Sequence, residues 1–285
     1  MHDYLLVKYV IVIVGLVGNL IEITVFARKK NKKFPSRVYF IALSIADLTC
    51  LFYYIVRDSI ENFSQNWNIA SSNLLCKLNI ILLYALSTNS NWLLGIISLD
   101  KYFSIRWPSV KILKKKWFQI VLLLAIILHN FILYSPLLFY SGLVFNNQTN
   151  NTKCDLFNTE IETFNLAIDT INCFLPLIMK LLFSILLIHT IMKSRLRILR
   201  ITTQFERNKL KKDIRFAIST LFLNLFGILL NFPINLVLIA KIIYFLDFDN
   251  IFICLVYISY TANFYILFLT NTIIRKQTIL LFKLK

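Results

Sequence analysis

The stretch that decides the fold is CKLNIILLYALSTNSNWLLGIISLDKYFSIRWP, residues 76–108. It is largely apolar from Cys76 to Asp100, with a cluster of small polar residues near its middle. These two residues are 24 positions apart, which at a rise of about 1.5 Å per residue corresponds to about 36 Å of α-helix. That length slightly exceeds the hydrocarbon thickness of a bilayer. The sequence therefore predicts a membrane-spanning helix with a thiol at one face and the triplet Asp100-Lys101-Tyr102 at the other.

The composition of the whole chain is typical of a membrane protein. Its 285 residues are 58% hydrophobic, with 25 Phe and 13 Tyr but only 5 Gly, which is unusual for a soluble domain. A segment that crosses a bilayer must satisfy its backbone hydrogen bonds internally, so each span is expected to be a helix. We therefore predict a single all-α domain, a bundle of seven transmembrane helices. The predicted spans are 4–27, 38–60, 73–103, 117–140, 163–192, 214–242 and 250–272, and a short amphipathic helix is predicted over 273–284.

The basic residues indicate how the chain is oriented in the membrane. Twenty-five of the 31 Lys and Arg residues fall in alternate connections and in the C-terminal segment: 28–37, 101–116, 193–215 and 275–285. The positive-inside rule makes these segments cytoplasmic, so the N-terminus is expected outside and the C-terminus inside. Few residues precede the first apolar run and none of them is basic, so we expect this helix, rather than a cleaved signal peptide, to direct insertion.

The net charge of +17 could by itself suggest a nucleic-acid-binding protein. Its confinement to one side of the membrane instead favours contact with the anionic lipids of the bilayer or with a cytosolic partner. No nucleic-acid partner is therefore expected.

The opposite connections have the features of an extracellular surface. N-glycosylation sequons begin at Asn62, Asn147 and Asn150, and all three fall outside in this topology. Of the five cysteines, only Cys76 and Cys154 lie outside the predicted spans, and both are on the outer side, where the compartment is oxidising. A disulfide between these two cysteines is the simplest prediction.

Polar and helix-breaking residues within the spans indicate where function lies. Asp47 is an ionisable residue near the middle of the second span, which makes it a functional candidate; the alternative is a structural carboxylate with satisfied hydrogen bonds. Pro136, Pro176 and Pro233 interrupt the fourth, fifth and sixth spans at a similar outer depth. Such breaks often border a cavity, which suggests a cleft open to the outside, although kinks that serve packing alone would leave the same pattern.

Together these residues resemble the rhodopsin-like (class A) G protein-coupled receptors, over essentially the whole chain. The matching positions are Gly18-Asn19, Leu43, Ala46-Asp47, Cys76, Asp100-Lys101-Tyr102, Pro108, Pro136, Pro176, Pro233 and Asn263. The resemblance implies a multi-pass receptor of the plasma membrane with an extracellular ligand and a heterotrimeric G protein as partners. It implies no cofactor other than a sodium ion as modulator. Asn231-Phe232-Pro233 and Asn263-Phe264 are similar to invertebrate neuropeptide receptors of the FMRFamide-receptor type.

Several positions depart from the family's pattern. Lys101 replaces the arginine of the Asp-Arg-Tyr triplet, and Phe264 replaces the proline that usually follows Asn263. Ser184 and Leu267 occupy two positions where the family usually has tyrosine. These departures raise the question of how efficiently the receptor couples, but they leave the fold prediction unchanged.

The resemblance also implies two functional sites inside the bundle. The residues implied in coupling and switching are Asp100, Lys101, Tyr102, Pro108, Asp213 and Asn263. Lys101 is expected to pair with Asp100 or with Asp213, which lies at matching depth on the sixth helix; the alternative is that Asp213 is a solvated loop acid. The residues implied in a sodium pocket are Asp47, Ser90, Asn263, Asn19 and Ser259, and the same groups could hold waters instead.

The ligand class is inferred from the outer halves of the helices. Leu83 stands where amine receptors have their counter-ion aspartate, so a biogenic amine is not expected. Nine of the 14 acidic residues fall on the outer side, against five basic residues if Lys180, deep in the fifth span, is left out. This excess would suit a short cationic peptide, although an ordinary acidic outer face is an equal alternative. The candidate ligand-pocket residues are Asp58, Glu61, Leu83, Tyr84, Ser87, Glu162, Asp169, Asn231 and Tyr257.

Two other functions remain open from the sequence. One is a weakly coupling or chemosensory orphan receptor of the same fold. The other is a polytopic transporter or channel with an ion path through Glu22, Asp47 and Lys180, although the odd number of spans and the lack of an internal repeat argue against it. An enzyme is not expected, because the chain has no phosphate-binding loop, nucleophile elbow or metal-binding pattern.

Overall fold

The computed structural model describes residues 2–28, 36–63, 72–107, 110, 112, 115–146, 151–156, 159–200, 203–244 and 250–283. Within these residues the chain is almost entirely helical, with one two-stranded sheet. The helices are α1 (His2–Ala27), α2 (Arg37–Phe63), α3 (Asn73–Arg106), α4 (Lys116–Tyr134), α5 (Leu137–Tyr140), α6 (Thr159–Arg200), α7 (Gln204–Tyr244), α8 (Asn250–Thr270) and α9 (Thr272–Phe282). The strands are β1 (Ser141–Asn146) and β2 (Asn151–Leu156).

Seven long helices form the bundle. α1, α2, α3, α6 and α7 each contain a segment long and apolar enough to cross a membrane, and so does α4 together with α5. The described part of α8 over Cys254–Thr270 is a shorter apolar helix. α3 packs against α2, α4, α6 and α7, so it lies at the centre of the bundle. The predicted fold class, an all-α bundle of seven membrane helices, is confirmed.

The helix boundaries differ from the predicted spans in two informative ways. α6 and α7 extend well beyond the spans 163–192 and 214–242, because the basic segments that follow and precede them at the cytoplasmic side continue the helix outside the apolar stretch. The span 117–140 is interrupted at Ser135 and Pro136, because α4 ends at Tyr134 and α5 begins at Leu137. Pro136 explains this break, since its ring removes a backbone N–H that a continuous helix would use.

α9 covers Thr272–Phe282, in the segment where the sequence predicted a short amphipathic helix over 273–284. Asn271 caps its start, since the side-chain oxygen accepts hydrogen bonds from the backbone N–H groups of Ile273 at 3.0 Å and Ile274 at 3.4 Å. Ile274 and Thr278 are buried, whereas Leu280 and Phe282 are exposed. The helix therefore packs one face against the bundle and leaves apolar side chains on the other, as an interfacial helix does.

A β-hairpin covers the outer end of α3. β1 and β2 pair antiparallel, with Leu143 opposite Cys154. Cys154 forms a disulfide with Cys76, in the first turns of α3, and the two Cα atoms are 5.4 Å apart. The predicted disulfide is thus present, and it joins the outer connection between the fourth and fifth spans to the central helix.

The apolar side chains divide into a buried set and an exposed set. Leu43, Ile97 and Leu267 are fully buried in the largest apolar cluster of the bundle. Ile132 and Ile185, on α4 and α6, are among the many exposed large apolar side chains. A soluble protein rarely exposes so much contiguous apolar surface, so these faces are suited to lipid.

We predict that the disulfide contributes strongly to stability. Linking cysteines 78 residues apart should contribute about 4.5 kcal/mol on the chain-entropy model. Cys76→Ser and Cys154→Ser should each lower the melting temperature of the purified protein, and the double variant should be no worse than either single one. The control is Cys254→Ser, which removes a free thiol. Additive losses in the double variant, or no loss in either single one, would contradict the prediction.

Candidate functional site

The triplet Asp100-Lys101-Tyr102 lies in the last two turns of α3, at the cytoplasmic side of the bundle. Lys101 is only 7% exposed, and its Nζ lies 3.6 Å from Oδ2 of Asp100. Ser36, which precedes α2, joins both groups, because its hydroxyl donates to Oδ2 of Asp100 and accepts a hydrogen bond from Nζ of Lys101. The start of α2 is therefore tied to the end of α3 by a buried ionic contact.

Two aromatic rings complete the environment of this lysine. Nζ of Lys101 lies 5.7 Å from the ring centroid of Phe40 on α2 and 5.4 Å from that of Phe216 on α7. These distances fall in the range of cation–π attraction. We call Lys101, Asp100, Ser36, Phe40 and Phe216 the Lys101 cage. It joins α2, α3 and α7 at one point.

The sequence predicted Asp100 or Asp213 as the partner of Lys101. The structure shows the ion pair with Asp100, and on α7 the ammonium group also lies over the ring of Phe216, three residues after Asp213. Asp213 is half-buried and has contacts of its own. A helix places residues three apart on neighbouring positions of one face, so Asp213 and Phe216 lie at a similar depth on α7, and a contact of Lys101 with Asp213 stays a prediction.

Tyr102 packs against a second aromatic group. Its ring centroid lies 5.9 Å from that of Trp107 and 6.0 Å from that of Phe183 on α6. The triplet thus contacts α2 and α7 through Lys101 and α6 through Tyr102. The end of α3 is thereby joined to three neighbouring helices.

A second polar contact lies about one turn further into the membrane. The hydroxyl of Ser98 on α3 donates to Oδ1 of Asn224 on α7 at 2.9 Å, and Nδ2 of Asn224 donates to the hydroxyl of Ser184 on α6 at 2.8 Å. Asn224 is fully buried. Ser184, which stands at a position where the family usually has tyrosine, therefore joins α6 to α7. Leu267, at the second such position, is fully buried in the apolar core.

A third contact surrounds a buried lysine. Lys180 on α6 is 1% exposed, and its Nζ donates to Oδ1 of Asn91 on α3 at 2.9 Å. Nδ2 of Asn91 is 3.5 Å from Oδ1 of Asn231 on α7. Gly227 on α7 lies beside the ammonium group, and a Cβ there would be in ordinary van der Waals contact with Nζ, at 3.8 Å. Asn231, expected in the ligand pocket, thus also contacts the centre of the bundle.

The predicted sodium pocket is partly assembled. Nδ2 of Asn263 donates to Oδ2 of Asp47 at 2.7 Å, and Ser90 is a neighbour of the same carboxylate. Asn19 donates through Nδ2 to the backbone of Gly15 at 3.0 Å and of Tyr260 at 3.1 Å. Ser259, which was also expected here, donates to the carbonyl of its own helix at Val256.

Two oxygens in this pocket suit a cation. Oδ1 of Asp47 and Oδ1 of Asn19 are buried and have no hydrogen-bond partner among the residues that the structure describes. Carboxylate and amide oxygens are the ligands that hard cations take. The donor set therefore fits a cation, and sodium stays a prediction.

At the outer side, Asp58 is at the centre of a contact between three helices. Its carboxylate lies 3.7 Å from Nζ of Lys8 on α1 and accepts a hydrogen bond at 3.0 Å from the hydroxyl of Tyr257 on α8. The side chains of Lys8 and Asp58 are 13% and 18% exposed. Asp58 is thus a partly accessible anion that already has an internal counter-ion.

Asp169, another candidate for ligand binding, lies in a different setting. It is 7% exposed and accepts a hydrogen bond at 2.7 Å from the hydroxyl of Tyr134 on α4. Asn172 donates to that hydroxyl and to Asn130, both at 3.1 Å, and Asn130 donates to Asn89 on α3 at 2.7 Å. This chain of buried polar groups joins α3, α4 and α6, so Asp169 takes part in helix packing.

The remaining candidates are less informative. Leu83, Tyr84 and Ser87 are half-buried in the outer half of α3, where Ser87 donates to the carbonyl of Tyr84 at 3.0 Å and Tyr84 stacks on Tyr134. The candidates that lie outside the described residues or whose side chains are not described are Glu61, Asn62, Pro108, Asn147, Asn150 and Glu162.

Sequence reasoning missed Phe40, Phe216 and Asn224. Nothing in the sequence distinguishes these two phenylalanines from the others among the 25 in the chain, because only the packing of the helices decides which rings contact Lys101. Asn224 had a detectable signal: a polar amide in the apolar run before Pro233, where an unpaired polar group in lipid is costly.

Comparison with known proteins agrees with this geometry. The model of the family "7 transmembrane receptor (rhodopsin family)" matches residues 18–273. The chain therefore belongs to the rhodopsin family of seven-transmembrane receptors, a family of receptors and not of enzymes. It is a multi-pass protein of the plasma membrane, as the sequence predicted, and family membership decides against the transporter or channel.

Individual relatives match over shorter stretches. "Probable G-protein coupled receptor 34" of Pan troglodytes is 38% identical over 96 residues, which is 34% of this chain and 25% of that protein. "Proteinase-activated receptor 2" of Mus musculus is 28% identical over 152 residues, 53% of this chain and 38% of that protein. "Cholecystokinin receptor type A" of Oryctolagus cuniculus is 26% identical over 153 residues, 53% of this chain and 35% of that protein. The chain thus spans only a quarter to two fifths of the length of these relatives.

Proposed function

We propose that this protein transduces the binding of an extracellular ligand, a short cationic peptide, to a heterotrimeric G protein. The observation that carries the proposal is the Lys101 cage: a buried cation at the cytoplasmic end of the central helix contacts the sixth membrane helix, α7, through Phe216. Such a contact can exist in a closed bundle and be lost when α7 moves away. It is therefore a two-state element of the kind that a ligand can bias.

The route from the outer side of the bundle to the cage follows α7. Asn231 is half-buried in the outer half of α7, two residues before Pro233, which the helix passes without a break. It contacts α3 through Asn91. Asn224 contacts α3 and α6 further in, and Phe216 contacts Lys101 at the cytoplasmic end. A ligand that binds better when Asn231 is displaced would shift the population toward the state in which the inner two contacts are broken.

The acidic contact at Asp58 supports a cationic ligand. Lys8 neutralises Asp58 within the protein, and both are partly exposed, so a cationic group of the ligand can replace the lysine without leaving a buried charge unpaired. We also propose that the receptor belongs to the invertebrate neuropeptide type related to FMRFamide receptors. The support for this finer assignment is Asn231-Phe232-Pro233 in α7 and Asn263-Phe264 in α8.

The proposal is tested by screening a short-peptide library against cells that express the receptor with a promiscuous G protein. Activation by cationic peptides, absent from cells with empty vector, is the expected result. Activation only by non-peptide compounds would overturn the peptide assignment. A receptor that reaches the surface, binds a peptide and yet activates no G protein would be the weakly coupling orphan.

We predict that Asp58 and Lys8 affect peptide potency in opposite directions. Asp58→Asn removes the carboxylate that is proposed to bind the cationic ligand. It should raise the agonist concentration for half-maximal activation about tenfold, which is the effect expected from losing one charge-assisted contact. Lys8→Gln removes the ammonium group that competes with the ligand for Asp58, so this variant should lower the agonist concentration for half-maximal activation. Lys77→Gln, a half-buried outer lysine on α3 that is not among the candidate pocket residues, serves as the control. Equal effects of the Asp58 and Lys8 variants in one direction would contradict the exchange of counter-ions.

Lys101→Arg should raise the maximal activation by agonist without tightening antagonist binding. A guanidinium is planar and presents several fixed donors, whereas an ammonium is a compact, strongly hydrated point charge. An arginine released from the cage in the open state should therefore form stronger contacts with the G protein than the lysine does. The comparison requires equal surface expression, with nucleotide exchange on the G protein as readout. Unchanged or lower maximal activation would show that Lys101 is not a weakened form of the family's arginine.

A further inference from the structure

Lys180 is a buried cation that the proposed signalling route does not use. It lies near the middle of the apolar stretch Thr163–Ser194 of α6 and is 1% exposed. The acceptor that the structure gives its Nζ is Oδ1 of Asn91 on α3, at 2.9 Å. An amide oxygen carries no formal charge, so this hydrogen bond leaves the ammonium group uncompensated. A buried charge is costly unless an opposite charge is paired with it, and an ionisable residue inside the membrane is a functional candidate.

The acid nearest to Lys180 along its own helix is too distant to pair with it. Asp169 lies eleven positions toward the outer side, which corresponds to about 16 Å of helix. Its carboxylate accepts hydrogen bonds from the hydroxyl of Tyr134 and from the thiol of Cys173. Cys173, two turns before Lys180, is the titratable neighbour of the ammonium group. Since this thiol donates its proton to Asp169, it supplies no negative charge to the lysine.

The two helices that pack against α6, α3 and α7, have their acids at the cytoplasmic end. On α3 the acid is Asp100, which is paired with Lys101. On α7 the acids lie in the first three turns, up to Asp213. Gly227, the residue of α7 beside Nζ, is fourteen positions further along, or about 21 Å of helix. Within the part of the chain that the structure describes, no carboxylate is therefore paired with Lys180.

The groups around this ammonium are suited to an anion. An ammonium group has three hydrogen-bond donors, and Asn91 takes one of them. Nδ2 of Asn91 makes a long contact, 3.5 Å, with Oδ1 of Asn231, and both asparagines are half-buried. Gly227 has no side chain that could cover the ammonium group from α7. Ammonium and amide N–H groups thus lie together between α3, α6 and α7, and such donors form strong hydrogen bonds with anions.

We propose that Lys180 and Asn91 form a binding site for a monovalent anion, a halide ion or a carboxylate group, between α3, α6 and α7. One negative charge compensates the one ammonium group, whereas a doubly charged anion would leave an excess of the opposite sign. The anion accepts hydrogen bonds from Nζ of Lys180 and from Nδ2 of Asn91. Chloride from the solution and a carboxylate of a bound ligand are two sources of this chemistry. The site does not rest on the proposed peptide or on G-protein coupling, so it can be tested on the receptor alone.

The test is the melting temperature of the purified full-length protein in sodium gluconate, a carboxylate too bulky for a buried site. Gluconate is replaced stepwise by chloride, bromide or acetate at constant sodium concentration, so that any effect of sodium on Asp47 stays the same. Wild type should show a saturable rise, because an anion that binds the folded state stabilises it. A rise with acetate as well as with the halides would assign the site to carboxylate groups too, and a rise with the halides alone would assign it to free halide ions.

Two variants remove the need for the anion in different ways. Lys180→Met keeps the length of the side chain and removes the charge. Asn91→Asp provides a carboxylate on the side chain that already lies 2.9 Å from Nζ. Both should lose the saturable rise and should melt above wild type in gluconate, because neither contains an unpaired buried charge. Lys193→Met, which removes an exposed lysine of the same helix, is the control and should respond like wild type.

Bromide provides a second measurement on the wild-type protein, through its anomalous scattering in crystals grown in sodium bromide. An anomalous peak beside Nζ of Lys180 would support the site even if a variant fails to fold. The proposal is overturned if wild type shows no saturable response to any of the three anions, or if bromide lies only on the basic surface. It is also overturned if Lys180→Met or Asn91→Asp responds like wild type, or if Lys193→Met loses the response as well.

Discussion

The burial of the Lys101 ammonium group is the constraint on which the cytoplasmic end of the bundle depends. A charge removed from water must be paired and hydrogen-bonded, or its burial becomes prohibitive. Asp100 and Ser36 provide the pairing, and the faces of Phe40 and Phe216 provide further attraction. Since these groups come from different elements, α2, α3 and α7 must meet at one point for the lysine to be buried at all.

Buried polar contacts also join α3 to its neighbours at two positions deeper in the membrane. Helices in lipid gain little from hydrophobic attraction to one another, so polar contacts and close packing decide which faces meet. Ser98 bonds Asn224 and Asn91 bonds Lys180, each time joining α3 to a neighbour. α7 takes part at every level, through Phe216, Asn224 and Asn231. A displacement of α7 therefore breaks contacts in sequence along one helix, which suits a receptor that carries a signal across the membrane.

The sequence predicted those features that rest on composition, spacing or local chemistry. The seven helices and their orientation follow from hydropathy and charge, and the Cys76–Cys154 pair follows from counting cysteines outside the spans. The contact of Asp47 with Asn263 was implied by family spacing. The Phe216 ring, by contrast, could not be selected in advance, because which of many phenylalanines faces a given cation depends on helix rotation. Asp213, the acid predicted at this depth of α7, lies three residues before it.

The central claim is that the Lys101 cage keeps α7 against α3. Double electron–electron resonance between spin labels at Arg106→Cys and Lys212→Cys, two exposed positions on α3 and α7, measures their separation in lipid nanodiscs. Lys101→Met keeps the length of the side chain and removes the charge. The account predicts that this substitution adds a population at longer distance in the absence of ligand. An unchanged distance distribution would contradict it.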